Sequence, residues 1–265
     1  LQEVMASVEE ALRIYEAGDL VMPERLTVPA GEANVLLLMP CAAEDHMVTK
    51  LVSVYPGNRA VGKPVIDGLV VLYDRATAEI LAMMDGKTIT AMRTGAVTGV
   101  SIARLARPDA RTVGLVGCGV QGYYQLLYAC AVRDIETIVL HDIDGAATQA
   151  LRERLRPQFG ELEIEVASDT GALLRRSDIV ITATTARTPV FPDDPELFKG
   201  KHCVAIGSFE PEVREYPDAL FSLVDKVWVD LAFAKEESGE LIIPLEKGLL
   251  QEDQIETLGR LVVTG

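Results

Sequence analysis

A chain of 265 residues, 49% of them hydrophobic, is long enough to bury a substantial core without disulfide staples. Its formal net charge of −15 repels phosphate backbones and anionic membrane surfaces. Nucleic acid and lipid surfaces are thereby excluded as partners, whereas a small anionic substrate held by a few concentrated arginines is not.

Cys41, Cys118, Cys130 and Cys203 show no C-x-x-C spacing, and His46, His141 and His202 show no H-x-x-x-H spacing. Reduced, mostly core thiols and no metal site are expected. Polar residues interrupt every apolar run before membrane-spanning length, and the first residues lack a secretory pattern, which points to the cytoplasm.

Val4, Val8, Ala11, Leu12 and Tyr15 recur at helical spacing from Gln2 to Tyr15, and Gly18 stands where a C′ glycine belongs. Asn34 to Met39, Val48 to Val54 and Gly68 to Tyr73 then read as successive strands, punctuated by Pro56-Gly57 and Lys63-Pro64. Another strand pair closes over Asp74 to Glu79. A helix follows from about Thr88 to Leu105, with Ile89, Met92, Ala96, Val100 and Ala103 as its core stripe.

After Arg107-Pro-Asp-Ala110 the pattern changes to apolar strands alternating with amphipathic helices. The strands are Thr112 to Val116, Thr137 to Leu140, Glu163 to Val166, Ile179 to Ala183, Cys203 to Ile206 and Val227 to Val229. The first of them are separated by helices of right-handed βαβ length. A domain boundary is therefore expected near residue 108.

Gly117-Cys-Gly119-Val-Gln-Gly122 follows a buried strand and opens the apolar helix Tyr123 to Val132. In a dinucleotide site Gly117 makes the tight turn, Gly119 admits the pyrophosphate, and Gly122 lets helix pack on sheet, with the helix N-terminus facing the phosphates. The alternative is a glycine-rich turn in a nucleotide-free α/β domain. The next strand leads into Asp142, placed where a ribose-binding acid belongs. A carboxylate there suits NAD and repels the 2′-phosphate of NADP, which Ile143 and Asp144 do nothing to attract. NAD is preferred and NADP less favoured. The alternative for Asp142 is helix capping, a role equally open to Asp144. Val120, Gln121, Ile143 and Thr184 complete the candidate cofactor set.

With these glycines, the segments Met39-Pro40, Lys50-Leu-Val-Ser-Val-Tyr-Pro-Gly-Asn58, Gly68-Leu-Val-Val-Leu-Tyr-Asp74, Ala82-Met-Met-Asp-Gly86 and Thr90-Ala-Met-Arg-Thr-Gly-Ala96 carry a resemblance. From about Arg25 to Val229 the chain resembles the ornithine cyclodeaminase and mu-crystallin family. The resemblance implies a Rossmann-type doubly wound parallel sheet plus an α+β substrate-binding and dimerisation domain. Residues 1–108 would form the substrate domain, 109–257 the NAD(P)-binding domain, and 258–265 the start of a segment returning to the first.

The resemblance further implies that Arg25 and Arg93 hold a substrate carboxylate, a task suited to planar guanidinium donors, that Lys50 is the active-site lysine, and that Met39 lies at the substrate. Read in isolation, Arg25 is equally a solvated loop charge, Lys50 a strand-edge gatekeeper and Arg93 a surface residue. Two acids that handle the ornithine amines in the cyclodeaminases fall here at Leu37 and Phe209, neither of which ionises, although Glu210 adjoins the second. The chain also stops short of the family's C-terminal helix and starts late, so it reads as truncated.

The expected activity is NAD(P)H-dependent reduction of a cyclic imino acid, pyrroline-2-carboxylate or piperideine-2-carboxylate, by a homodimer, with Lys50 as proton donor or electrostatic orienter. Alternatives are alanine dehydrogenase or ornithine cyclodeaminase activity, or a non-catalytic mu-crystallin-like binder of dinucleotide and ligand.

Overall fold

Helix α1 (Gln2–Ala17) stops where a residue with positive φ takes over, at Gly18 with φ 77°. The Gly18 N–H bonds to Tyr15 O and the Asp19 N–H to Ile14 O, which satisfies carbonyls the helix leaves open. The computed structural model describes residues 1–31 and 33–265, with Arg59 described through its backbone. The chain divides into two compact units, residues 13–93 on one hand and residues 1–12 with 94–265 on the other. The division falls ahead of the change of pattern at residues 107–110.

In the unit 13–93, β1 (Leu26–Pro29), β2 (Val35–Ala42), β3 (His46–Val54), β4 (Ile66–Asp74) and β5 (Ile80–Asp85) form one antiparallel sheet in chain order. The β4–β5 turn sets Ala78 at φ 59°, and Asp74 Oδ1 fixes it by accepting from the N–H and hydroxyl of Thr77 at 2.7 and 2.8 Å. Strand β1 was not expected from the sequence. It is an edge strand exposed along its whole length, so it shows no alternation of buried and exposed positions.

Helix α2 (Gly86–Leu105) leads into β6 (Thr112–Val116), α3 (Val120–Val132), β7 (Thr137–His141), α4 (Gly145–Phe159), β8 (Glu163–Val166), α5 (Thr170–Arg176), β9 (Ile179–Thr182) and β10 (His202–Ala205). The five strands form a parallel sheet in the order β10-β9-β6-β7-β8. Alternate side chains serve its two faces. Val113, Leu115, Ile138, Leu140, Ile179 and Ile181 pack with Leu126, Ala129, Leu151 and Leu155 of α3 and α4. Val116, Val139 and Val180 pack with Leu173 and Leu174 of α5 on the other face. The sheet is thus covered on both sides, as in a doubly wound fold.

The remaining elements are α6 (Asp218–Phe221), β11 (Val227–Val229), α7 (Ala234–Glu237), α8 (Gly239–Glu246), β12 (Ile255–Thr257) and α9 (Leu258–Thr264). Val227 to Val229, expected with the other parallel strands, instead pairs with β12 in a separate two-stranded sheet. Its partner lies later in the chain than the strand–helix alternation extends, so the pattern did not reveal it. Two core expectations also shift. Ala103 is exposed because the larger Ile102 takes the buried position, and Ala11 is exposed while Met5 packs with Val8 and Leu12 against Val100, Leu258 and Val262.

Arg133, just beyond α3, ties off the C-terminus of α2. Its Nη2 donates to Ile102 O, Ala103 O and Ala106 O at 2.7, 3.1 and 2.7 Å, and its Nε to Arg107 O at 3.2 Å. A cation there also opposes the negative end of the helix dipole. Arg133→Ala is expected to lower unfolding stability by about 1.5–3 kcal/mol, the range for hydrogen bonds to a charged group. The denaturant midpoint should fall with an unchanged slope, and Arg133→Lys should recover less than half of the loss.

Candidate active site

Lys50 lies in β3, the central strand of the antiparallel sheet, which rules out the strand-edge gatekeeper role. Residues directly opposite one another across strands share a face, so Met39, Lys50, Val70 and Met84 form one row. Leu37 and Val52 lie two residues along on the same face. Arg25 immediately precedes β1, in which Leu26 faces Leu38, so one further step of register brings Arg25 opposite Met39. Lys50 is half-buried. Burial, reinforced by the positive charges of Arg93 and then Arg25, lowers its pKa from the ordinary lysine range to about 8. Three expected site residues therefore share one electrostatic neighbourhood over an apolar floor, which suits a small anion and leaves the ammonium readily deprotonated.

The glycine loop has the geometry a dinucleotide needs. Gly117 adopts φ 100°, and a Cβ on it would lie 2.5 Å from Ala183 O. A Cβ on Gly122 would lie 2.2 Å from Gly117 O and 2.8 Å from Leu115 Cδ2, so α3 sits on β6 at the distance of bare backbone. A Cβ on Gly119 would meet no heavy atom within 4 Å, which leaves open space at the start of α3. Gly119 is the N-cap and offers no side-chain acceptor to the first N–H groups of the helix.

Asp142 connects the two motifs. Its Oδ2 accepts from Cys118 N–H at 2.7 Å and its Oδ1 from Asp144 N–H at 2.9 Å. Capping of α4 falls to Asp144, which accepts from Ala146 N–H, so the capping alternative for Asp142 does not hold. Val120 is 63% exposed and Ile143 is fully exposed, two apolar residues flanking the loop and the acid. Gln121 is half-buried, and its Oε1 has no hydrogen-bond partner among the described residues. The donor set, the open space and the placed carboxylate fit a dinucleotide.

A model of the ornithine cyclodeaminase/mu-crystallin family matches residues 1–265. The chain belongs to that family. It is 35% identical over 267 residues to a Delta(1)-pyrroline-2-carboxylate reductase of Bacillus cereus, covering 99% of this chain and 81% of the relative. The fold superposes with TM-score 0.92 and 34% identity on the Thermococcus litoralis Delta(1)-pyrroline-2-carboxylate reductase in complex with NADH and L-proline, covering 99% of this chain and 82% of that one. An archaeal alanine dehydrogenase dimer with bound NAD matches with TM-score 0.88 and 30% identity, covering 98% and 80%.

Leu37 lies on the Lys50 face of the sheet, and Phe209 is half-exposed. Glu210, next to Phe209, pairs with Arg187 at 3.2 Å. Thr184 follows β9, and both its N–H and its hydroxyl bond to Glu215. Sequence reasoning missed Glu215. Its signal was an Arg214-Glu215 pair inside the stretch Val213 to Phe221, whose flanking apolar residues pack into the core. Among the described residues no cluster of His, Cys, Asp or Glu is arranged to hold a metal, and no helix is long and apolar enough to cross a membrane.

The loop geometry separates two glycines that look alike in the motif. Gly122→Ala should destabilise by about 1–3 kcal/mol through forced displacement of backbone, whereas Gly119→Ala should stay within about 0.5 kcal/mol. Thermal denaturation of the two variants provides the check.

Proposed function

We propose that this protein reduces a cyclic imino acid, pyrroline-2-carboxylate or piperideine-2-carboxylate, with NADH as the favoured reductant. The observation that carries the reading is the strand register that sets Lys50 opposite Met39 and Val70 and beside Leu37 and Val52, with the charges of Arg93 and Arg25 acting on its ammonium. The named reductase relatives support it. Arg25 and Arg93 bind the ring carboxylate, and guanidinium forks match its two oxygens. Lys50 in its ammonium form donates a proton to the ring nitrogen, while the apolar neighbours Leu37, Met39 and Val52 accept the ring carbons. A bound nicotinamide supplies the hydride for the imine carbon. Gly117, Gly119, Val120, Gln121, Gly122, Asp142, Ile143 and Thr184 would hold the dinucleotide, with Asp142 disfavouring a 2′-phosphate. Leu37 leaves no carboxylate at the first position that serves a distal ammonium in cyclodeaminases. Work in the cytoplasm is part of this proposal.

The test is NADH and NADPH oxidation by purified protein with each cyclic imine, compared with release of proline and ammonia from ornithine and NAD. Imine turnover with NADH preferred is expected, and robust proline formation from ornithine would overturn the reading. Because Lys50 donates as an ammonium and is protonated below about pH 8, kcat/KM for the imine should be level below that pH and fall above it. Lys50→Met should lose at least about 100-fold in rate, the scale of a general acid, and should lack that alkaline limb. Arg93→Lys should chiefly raise KM.

We further propose a homodimer formed through the sheet face opposite Lys50. Leu26, Val28, Leu36, Leu69 and Met83 lie on that face and are all exposed, Met83 by 68%. The archaeal alanine dehydrogenase it resembles is a dimer. Sedimentation at micromolar concentration should give a dimer for the native chain and a monomer for Leu69→Lys, and a monomeric native chain would defeat the assignment.

A further inference from the structure

We propose that Glu215 is a positioning residue for the dinucleotide, acting through Thr184 and the Gly207 turn, an inference that rests on reading the glycine loop as a dinucleotide site. Glu215 is fully buried. Its Oε1 accepts from the N–H and hydroxyl of Thr184 at 2.8 and 2.7 Å. Its Oε2 accepts from the Thr182 hydroxyl at 2.8 Å, Gly207 N–H at 2.7 Å and Ile206 N–H at 3.2 Å. One carboxylate therefore gathers the chain leaving β9 and the chain leaving β10.

These ends matter because of where they lie. In the order β10-β9-β6-β7-β8, the chain runs outward from β6 through β7 to β8, then resumes on the other side at β9. Ligands in such sheets bind outside the carboxyl ends of the strands at that reversal. Thr184 lies against the glycine loop there, since a Cβ on Gly117 would be 3.2 Å from Thr184 Cγ2. A Cβ on Gly207 would be 2.3 Å from Thr184 O and 2.8 Å from Glu215 Cδ, so the two exit segments and the carboxylate are packed without slack.

Only an acceptor satisfies five converging donors, and an ionised carboxylate accepts at both oxygens and donates at neither. Glu215 is itself held from behind. Glu240 Oε2 accepts its backbone N–H at 2.7 Å, and Glu240 Oε1 accepts Tyr216 N–H at 3.0 Å. Apolar residues often fill such volume with equal or better stability, so a buried charge is a weak stabiliser. What it supplies is a fixed place for Thr184 and Gly207 before the cofactor arrives.

The variant Glu215→Gln keeps the shape but turns an amide donor toward other donors. Ser177→Ala is the matched control: it removes a buried bond to Leu173 O just ahead of β9, at the opposite end of the strand. Both should lower the thermal midpoint. Titration followed by NADH fluorescence should show about a tenfold rise in Kd for Glu215→Gln, the effect of one lost charged hydrogen bond, with no change for Ser177→Ala and partial rescue by Glu215→Asp. A folded Glu215→Gln with the native Kd overturns the proposal. If that variant does not fold, hydrogen exchange of the native protein decides. Slow exchange of the Thr184, Ile206 and Gly207 amides with and without NADH supports prior positioning, and fast exchange without NADH overturns it. Failure of the native chain to bind NADH would remove the dinucleotide reading itself. NADH binding without imine turnover would defeat only the proposed reaction.

Discussion

The parallel sheet and its crevice depend on a backbone contact that admits no side chain. The turn after β6 approaches the chain leaving β9 so closely that a single carbon on Gly117 would lie 2.5 Å from Ala183 O. Gly122 extends the same constraint into α3, whose first turn rests on Gly117 O and Leu115. Glycines there lose more conformational entropy on folding than other residues would. In return the first N–H groups of α3 meet no protein side chain and stay available to an anionic acceptor. Asp142 closes the arrangement by accepting from the loop at Cys118 N–H, so the acid proposed to set cofactor preference also braces the loop that would receive the phosphates.

In the antiparallel sheet the governing constraint is electrostatic. A lysine in a central strand cannot reach solvent freely, and the nearby charges of Arg93 and Arg25 make its ammonium costlier still. Such clustering is unfavourable for the empty protein and becomes favourable once an anion is present. The strand register makes the cluster possible, because alternation places Lys50, Met39 and Leu37 on one face and leaves Leu26, Leu36, Leu69 and Met83 on the other. A shift of one residue would exchange the two faces and separate Lys50 from its neighbours. In the proposed function one face carries the chemistry and the other an apolar surface of the kind that pairs.

Acidic residues perform different tasks according to their surroundings. Asp144 and Asp169 cap helices, Asp142 braces the glycine loop, and Glu215 with Glu240 forms a buried tier that fixes backbone by accepting hydrogen bonds. Burial raises the Glu240 carboxyl to about 7 despite its two backbone donors. Three of these five, Asp169, Glu215 and Glu240, are named in the sequence by nothing more than a letter among 40 Asp and Glu residues.

The sequence by itself determined the elements whose period is local. The doubly wound alternation, the C′ glycine at residue 18 and the glycine loop all follow from contacts within one strand–turn–helix unit. Lys50, Arg25 and Arg93 were singled out by resemblance, since an isolated cation carries no local signal of its partners. Tertiary structure alone decided what depends on residues far apart in the chain. It paired Val227 to Val229 with β12 rather than with the main sheet, chose Ile102 over Ala103 for the core, and aimed Glu215 at the ends of β9 and β10. The reason is that burial and hydrogen bonding reward whichever groups the fold brings together, and a buried carboxylate is indistinguishable in sequence from a solvated one until its donors arrive from elsewhere in the chain.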